Sequence, residues 1–213
     1  MDGEDLMPDG ELEIDDITRE ELVERARTLI PILRNRAEEA QEIGRVPVDT
    51  IEDFRRLGLL RMSQPRRFGG YEMGWDVLCE ISQFLAAADC SQAWVQRILA
   101  DHAQMVATFP VEAQEEVWAE NFDTIICAAF DPVGTATRVE GGFRFSGQHG
   151  FSSGVDYADW LICGGFIVDG DHRDGPHFFL AKREDSIILD DWDTVGLEGT
   201  GSKSFVIQDA FIP

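Results

Sequence analysis

The sequence predicts an α+β protein in which an all-helical N-terminal domain precedes a β domain. Up to about residue 121, apolar side chains recur at the three- and four-residue spacing of helices; from about Asp123 onward, short alternating runs are separated by Gly and Asp. Because the helices come first and the strands follow, consecutive domains are expected instead of an alternating α/β sheet. The predicted divisions are an acidic disordered tail over 1–16, a helical domain over 17–121 and a β domain over 122–213.

Helix start and stop signals divide the first half. Thr18 and Glu21 have the spacing of a capping box, and the long amphipathic segment that follows is expected to kink or split at Pro31. Asp49 occupies a capping position before the next helix. Two longer helices and a short amphipathic one are then predicted, over "WDVLCEISQFLAAAD", "SQAWVQRILADHAQMVATF" and "VEAQEEVWAENF".

The second half consists of short runs that predict strands. The segment "VEGGFRF" is typical of a β-hairpin, and "FDPVGTAT" is expected to be a Pro-Gly loop that leads into the first strand of that hairpin. The predicted strand segments are "TIICAAF", "GTATRVE", "GFRFSGQ", "DWLICGGFIV", "PHFFLAKR", "SIILDDW" and "SFVIQDAFIP".

Charge and hydropathy exclude two classes of partner. The 213 residues include 41 acidic and 18 basic side chains, a formal net charge of −23, which argues against nucleic acid as a partner. Eight of the acidic residues and no basic one lie in 1–16, as in a solvated tail. Neither a signal sequence nor an apolar run near the ~18 residues of a membrane span is recognisable. A soluble cytoplasmic protein with no membrane association is therefore predicted.

Cysteine and histidine spacing does not indicate a metal site. The four cysteines lie in apolar contexts without a CxxC pair, so they are expected to be reduced core residues. The closest histidine pair, in "HRDGPH", has neither the spacing of a helical HxxxH face nor nearby thiolates. The cysteines are Cys79, Cys90, Cys127 and Cys163.

Two groups of residues are candidates for chemistry, and each has a structural alternative. Helical spacing makes His102 an inward-facing imidazole, either a core histidine bonded to one backbone carbonyl or a general base facing a phenolic ligand. Ser152 and Ser153, in "GQHGFSSGVDYADW", are either turn serines or hydroxyls at the edge of a planar polar ring that Phe151 covers. The segment "GLEGTGSKSFVI" precedes a strand and lacks the GxGxxG spacing, so it predicts a glycine-shaped turn instead of a phosphate loop.

Several segments, taken in order, resemble the acyl-CoA dehydrogenase superfamily. They are "RRLGLLRMSQPRRFGGYEMGW", "SQAWV" with "HAQMVATFPVEAQEEVW", "GQHGFSSGVDYADW" and "GLEGTGSKSFVIQDAFIP". Within the superfamily they are most similar to monooxygenases that use reduced flavin from a separate reductase. The resemblance covers residues 17–213 and implies a β-barrel or sandwich as middle domain. It also implies a C-terminal four-helix domain that is absent from the sequence, so the chain is expected to be a fragment or to pair with another polypeptide.

The resemblance also implies roles for individual residues. His102 corresponds to a histidine that faces the substrate and is proposed as the base for a phenol, and Ser153 to a serine that contacts flavin. These two are the implied catalytic residues. His149 departs from the family's pattern, which usually has Trp at this position, so a different packing over the flavin is expected. The implied flavin-binding residues are Phe130, Asp131, Thr135, Phe151, Ser152 and Ser153, and the implied substrate-binding residues are His102, Thr200, Gly201 and Ser202.

The activity implied by the resemblance is that of the oxygenase component of a two-component monooxygenase. Such an enzyme hydroxylates an aromatic or phenolic substrate through a flavin C4a-hydroperoxide. The implied cofactor is reduced FMN or FAD with no metal, and the implied partners are a flavin reductase, a small aromatic substrate, O₂ and further copies of the chain in a homo-oligomer.

Two other functions remain open. One is that of an acyl-CoA dehydrogenase carrying out FAD-dependent α,β-desaturation, although its usual Thr-Glu-Pro loop is Phe-Asp-Pro here, at 130–132. The other is that of a split or truncated subunit without catalysis.

Overall fold

The computed structural model describes residues 17–213, so the predicted acidic tail lies outside the described residues. Helices are followed by strands, which confirms the predicted order. The helices are α1 (Arg19–Arg27), α2 (Ile30–Asn35), α3 (Ala37–Glu42), α4 (Val48–Arg56), α5 (Trp75–Ala86), α6 (Cys90–Val106) and α7 (Val111–Trp118). The strands are β1 (Ile126–Val139), β2 (Gly142–His149), β3 (Trp160–Asp169), β4 (His172–Lys182), β5 (Ser186–Ile188) and β6 (Phe205–Ile212).

Helix boundaries follow the local signals at most positions. The Thr18 hydroxyl accepts a bond from the Glu21 amide, and the Glu21 carboxylate accepts one from the Thr18 amide, which completes the predicted capping box. The long segment is split into α1, α2 and α3, with Pro31 in the first turn of α2. The capping role predicted for Asp49 is wrong. The cap is Pro47, without a side-chain bond, and Asp49 is the second residue of α4, inside its first turn.

Helix α6 begins at an N-cap, Asp89, whose contribution to stability can be measured. Asp89 accepts a 2.7 Å hydrogen bond from the Gln92 amide. We expect Asp89→Ala to lower the free energy of unfolding by about 1 kcal/mol, because an amide at the start of α6 loses its partner. Asp49→Ala is the matched control and should change it by about 0.3 kcal/mol. Urea unfolding of both variants measures the difference, and equal effects would show that the Asp89 cap is not stabilising.

The six strands form one mixed sheet in the order β4-β3-β1-β2-β6-β5. Strands β1 and β3 are parallel, and the other neighbouring pairs are antiparallel. Phe179 of β4 packs against Phe143 and Phe145 of β2, with ring centroids 5.5 and 4.9 Å apart, although two strands lie between β4 and β2. The sheet is therefore strongly curved around an apolar core, as in a barrel-like β domain.

Strand β1 differs from its prediction in one respect. The segment expected as a loop, which begins at Phe130, lies inside a continuous strand as a bulge. Both halves of β1 pair with β3, so residues 130–133 lie opposite Gly164 alone and remain extended. A Cβ atom at Gly164 would lie 2.6 Å from the Phe130 carbonyl oxygen, so only glycine lets the bulge close against β3.

The cysteines are only partly in the core. Cys127 and Cys163 are buried, and burial raises the pKa of both thiols. Cys90 is exposed and Cys79 is half-buried, so the prediction of a core position is wrong for Cys90. Cys90 is the first residue of α6, where its side chain faces solvent instead of the packed face of the helix. Within residues 17–213, no helix is both long and apolar enough to cross a membrane.

Candidate functional site

The imidazole of His102 lies between α6 and β1. Its side chain is 2% exposed, and Nδ1 lies 3.0 Å from the carbonyl oxygen of Ile126. A carbonyl only accepts, so Nδ1 carries the hydrogen, and in the neutral ring Nε2 keeps a lone pair. Burial lowers the pKa of His102 to about 4, helped by the charge of Arg97 and opposed by the bond to Ile126. The imidazole is therefore neutral at pH 7 and has one acceptor nitrogen.

An aromatic wall stands beside His102. The Phe130 ring meets the imidazole edge-on, with centroids 5.7 Å apart, and meets Phe178 of β4 in the same manner at 5.7 Å. Phe130 and Phe178 are both about half exposed. The bulge in β1 thus brings an apolar surface next to His102, the polar group of α6 that bonds to Ile126 of β1.

Three hydroxyls form a line of hydrogen bonds that we call the hydroxyl chain: Ser153, Ser202 and Thr200. The Trp94 indole Nε1 donates to the Ser153 hydroxyl at 3.0 Å. The Ser153 and Ser202 oxygens are 2.8 Å apart, the Ser202 and Thr200 oxygens are 2.6 Å apart, and the Thr200 hydroxyl donates to the Leu197 carbonyl at 2.8 Å. All three hydroxyl residues are buried. The hydroxyl chain links α6 to the turn after β2 and to the segment before β6.

At the start of the turn after β2, the Phe151 side chain is exposed to solvent and the Ser152 side chain is buried. The Phe151 side chain is 81% exposed, at a left-handed φ of 58°, and its ring meets Trp192 edge-on at 6.0 Å. The Ser152 amide donates to the Lys203 carbonyl, whereas its buried hydroxyl has no hydrogen-bond partner among residues 17–213. An unpaired buried hydroxyl and an outward aromatic ring next to the hydroxyl chain are groups that a planar ligand with polar edges could engage.

His149 lies in the core behind this turn. It is fully buried between Phe145 and Phe205, whose rings stack on the imidazole with centroids 5.9 and 5.2 Å away. Burial lowers the pKa of His149, and Asp131 opposes that shift. Within residues 17–213 neither ring nitrogen makes a hydrogen bond of good geometry, and the Asp131 backbone is the polar group that lies nearest in effect, opposing the pKa shift.

The predicted site residues are thus only partly brought together. His102 contacts Phe130, and Ser153 is joined to Ser202 and Thr200, with Gly201 between them at a φ of 53°. Asp131 and Thr135 are exposed on β1, and over residues 17–213 no hydrogen bond joins Thr135 to the hydroxyl chain.

Helical spacing predicts that Trp94 lies near His102 on α6, but it does not predict the bond from Trp94 to Ser153. A second contact was also missed: the Cys127 thiol, next to Ile126, donates to the Ser153 carbonyl at 3.4 Å. Together these bonds join the His102 group to the hydroxyl chain.

Two further features lie around the site. Phe178 also lines a cleft of about 470 Å³ between α7 and the sheet, which the sequence did not predict. In the part of the chain that the structure describes, no group of three or more His, Cys, Asp or Glu side chains is placed to hold a metal ion. The other apolar residues lining the cleft are Phe109, Pro110, Ala113, Phe143, Ile167, Phe179, Leu180, Ile212 and Pro213.

Known proteins share both the sequence and this fold. The chain is 35% identical over 191 residues to the flavin-dependent monooxygenase, oxygenase subunit HsaA, of Rhodococcus jostii (strain RHA1), covering 90% of this chain and 50% of that protein. It is 37% identical over 193 residues to the FADH(2)-dependent resorcinol hydroxylase, oxygenase component, of Rhizobium sp. (strain MTP-10005). That match covers 90% of this chain and 47% of the hydroxylase. The chain spans about half the length of these relatives.

Solved structures agree with the sequence matches. The HsaA monooxygenase from M. tuberculosis superposes with a TM-score of 0.90 at 32% identity, covering 92% of this chain and 54% of that one. XiaF from Streptomyces sp., in complex with FADH2 and glycerol, superposes with a TM-score of 0.87 at 28% identity. The match covers 92% of this chain and 50% of XiaF. A family model for the acyl-CoA dehydrogenase N-terminal domain matches residues 18–122. The chain therefore belongs to the acyl-CoA dehydrogenase superfamily and is similar over its helices and its sheet to flavin-dependent monooxygenases.

Proposed function

We propose that this chain provides the helical and β domains, 17–121 and 122–213, of the oxygenase component of a two-component monooxygenase that hydroxylates an aromatic or phenolic substrate. One observation carries the proposal: α6 positions a neutral imidazole against an aromatic wall and, two turns away, an indole bonded to a line of buried hydroxyls. The names of relatives at 35% and 37% identity support the reaction class.

The residues at the turn after β2 suit a flavin. The unpaired Ser152 hydroxyl and the Ser153 hydroxyl would bond to polar atoms of the ring, and Phe151 would cover it. We place Phe130, Asp131 and Thr135 of β1 alongside. Reduced FMN or FAD, delivered by a reductase, would supply the reaction with O₂ that makes an oxygen atom available for transfer. The residues around it exclude water and hold the substrate.

His102 would act on the substrate. Its Nε2 lone pair can accept a hydrogen bond from a phenolic O–H, while the bond from Nδ1 to Ile126 holds the imidazole in that orientation. Because a pKa of about 4 disfavours full transfer, the proton would move toward His102 only as the ring attacks the electrophilic oxygen, and this partial transfer makes the ring a better nucleophile. Thr200, Gly201 and Ser202 would border the substrate end of the site. We further propose a cytoplasmic protein that assembles with other copies of itself.

His102→Asn tests this function. The asparagine amide can still donate to Ile126 but provides no imidazole lone pair, so we expect phenol hydroxylation to fall about 100-fold with flavin affinity unchanged. The measurement uses the purified chain, reduced FMN or FAD, a flavin reductase with NADH, and a panel of phenols. Gln104→Ala, an exposed position on α6, is the control.

Two outcomes contradict the proposal. If neither reduced flavin binds the chain, the turn after β2 is not a flavin site. If an acyl-CoA reduces bound flavin anaerobically and no phenol is hydroxylated, the chain has dehydrogenase chemistry instead.

A further inference from the structure

We propose that Arg97 of α6 binds the carboxylate of an aromatic substrate, so that the site takes phenols with an anionic substituent in preference to neutral ones. The inference rests on the proposed function, and it adds to that function a specificity-determining residue and the class of substrate that this residue selects.

The Arg97 side chain is largely buried, yet its guanidinium makes no hydrogen bond within residues 17–213. It is 21% exposed, and the carboxylate of Asp101, its ion-pair partner, lies 3.9 Å away, which is too long for a hydrogen bond. Arg36 and Arg61 are buried to a similar degree, each 23% exposed, and donate hydrogen bonds to protein oxygens at 2.8 and 3.1 Å. Because a guanidinium withdrawn from water needs acceptors, Arg97 lacks the partners that its burial requires.

The surroundings of Arg97 leave its guanidinium open to an anion. Its Cζ atom lies 5.0 Å from the centroid of the Trp75 ring, which is 49% exposed and supplies a flat surface but no acceptor oxygen. The two acidic residues of α5, Asp76 and Glu80, pair with Arg19 at 2.5 and 2.7 Å. The planar fork of a guanidinium matches the two oxygens of a carboxylate, so a carboxylate is the group that fits best.

The position of Arg97 on α6 relates this cation to the candidate base. Arg97 precedes His102 by five residues, which is about 7.5 Å along the helix axis. Around the helix, the half-buried side chains of Ile98 and Met105 lie between the two and form an apolar strip. A phenol with a carboxylate opposite its hydroxyl can therefore lie on this strip, with the hydroxyl at His102 and the carboxylate at Arg97.

A bound carboxylate would also act on His102. Burial is the main cause of the low pKa of His102, and the charge of Arg97 lowers that pKa further. A carboxylate on Arg97 offsets this charge, so it raises the pKa of His102 and makes Nε2 a better acceptor for the phenolic proton. A neutral phenol has no such effect.

The binding of two matched phenols to the purified chain tests the inference. 4-Hydroxybenzoate carries a carboxylate where 4-hydroxybenzyl alcohol carries a neutral hydroxymethyl group. We expect 4-hydroxybenzoate to bind about 20-fold more tightly, because only the carboxylate forms a charge-assisted bond with Arg97. The titrations follow the Trp75 indole N–H signal of a ¹H–¹⁵N spectrum, which Trp75→Phe identifies among the five tryptophans.

Two variants should change the affinity for 4-hydroxybenzoate in opposite directions. Arg97→Gln should lower it about 20-fold and leave the affinity for the alcohol unchanged. Asp101→Asn should raise it about threefold, because it removes a negative charge that competes for Arg97 at 3.9 Å. Arg55→Gln, which breaks a similarly long 3.7 Å pair with Glu52 on α4, is the matched control and should change neither affinity.

Three results overturn the inference. They are equal affinities of the wild-type chain for the two phenols, a preference that survives Arg97→Gln, and an Arg97→Gln variant that binds FMN less tightly while its affinity for riboflavin is unchanged. The last result would assign Arg97 to the cofactor phosphate instead of the substrate.

The binding measurements need neither flavin nor turnover, so they separate the inference from the proposed function. A preference for 4-hydroxybenzoate that depends on Arg97, in a chain that hydroxylates no phenol, overturns the proposed function and leaves a carboxylate site. Hydroxylation of both phenols without a preference in binding has the opposite meaning.

Discussion

Phe145→Ala is expected to lower the free energy of unfolding by about 4 kcal/mol. The Phe145 ring is fully buried, stacks on His149 and packs against Phe179 from the far side of the curved sheet. It also fills the space over Gly165, where a Cβ atom would lie 2.9 Å from the ring. Removing it leaves a cavity that the neighbouring glycines cannot fill and takes away one of the two rings stacked on His149. Urea unfolding followed by far-UV circular dichroism measures the loss.

Phe211→Ala is the matched control for Phe145→Ala. Phe211 lies on β6 and is 45% exposed, so its truncation should cost less than about 1 kcal/mol. Equal losses in the two variants would mean that the interior of the curved sheet is not the main source of stability in the β half.

Acidification should destabilise the wild-type protein more than His102→Asn, by about 3 kcal/mol at pH 4. The pKa of His102 is about 4 in the folded protein and near 6.5 in the unfolded chain. The unfolded chain therefore binds the proton first as pH falls. The stabilising contribution is complete above pH 6.5 and is lost progressively down to about pH 4.

The comparison with His102→Asn isolates this histidine. The lowered pKa of His149 and the titration of the carboxylates affect both proteins, so they cancel in the difference. Free energies of unfolding at several values between pH 7.5 and pH 4 provide the measurement. Parallel pH curves for the two proteins would mean that the imidazole is hydrated and not held neutral by burial.

Local signals predicted the helical half well because its boundaries depend on neighbouring residues. The Thr18 capping box and the break at Pro31 are both present, since each needs only the adjacent turn. The prediction for Asp49 failed because Pro47 is the cap of α4, so the helix starts two residues earlier than it would with an aspartate cap at position 49. The continuity of β1 could not be predicted, because its bulge is set by pairing with β3, whose sequence lies beyond an intervening hairpin.

In the candidate site, too, the features that depend on neighbouring residues were predicted and those that depend on distant contacts were not. The inward position of His102 followed from helical spacing, and its bond to one backbone carbonyl was the structural alternative predicted for it. That carbonyl belongs to Ile126 on another element, and the indole that bonds Ser153 lies 59 residues away along the chain. Such contacts depend on how α6 packs against the sheet. The base role of His102 and the ligand roles of the hydroxyls stay predictions.

The strand order also has a consequence for synthesis on the ribosome. Strand β6 lies between β2 and β5, so the sheet cannot be completed until residues 205–212 have been made. Until then β2 keeps an open edge, and the apolar side chains along it invite pairing with other chains. The helical half, whose contacts are more local, can fold during that interval. A nascent chain paused before β6 would therefore be the species most prone to aggregate and most dependent on chaperones.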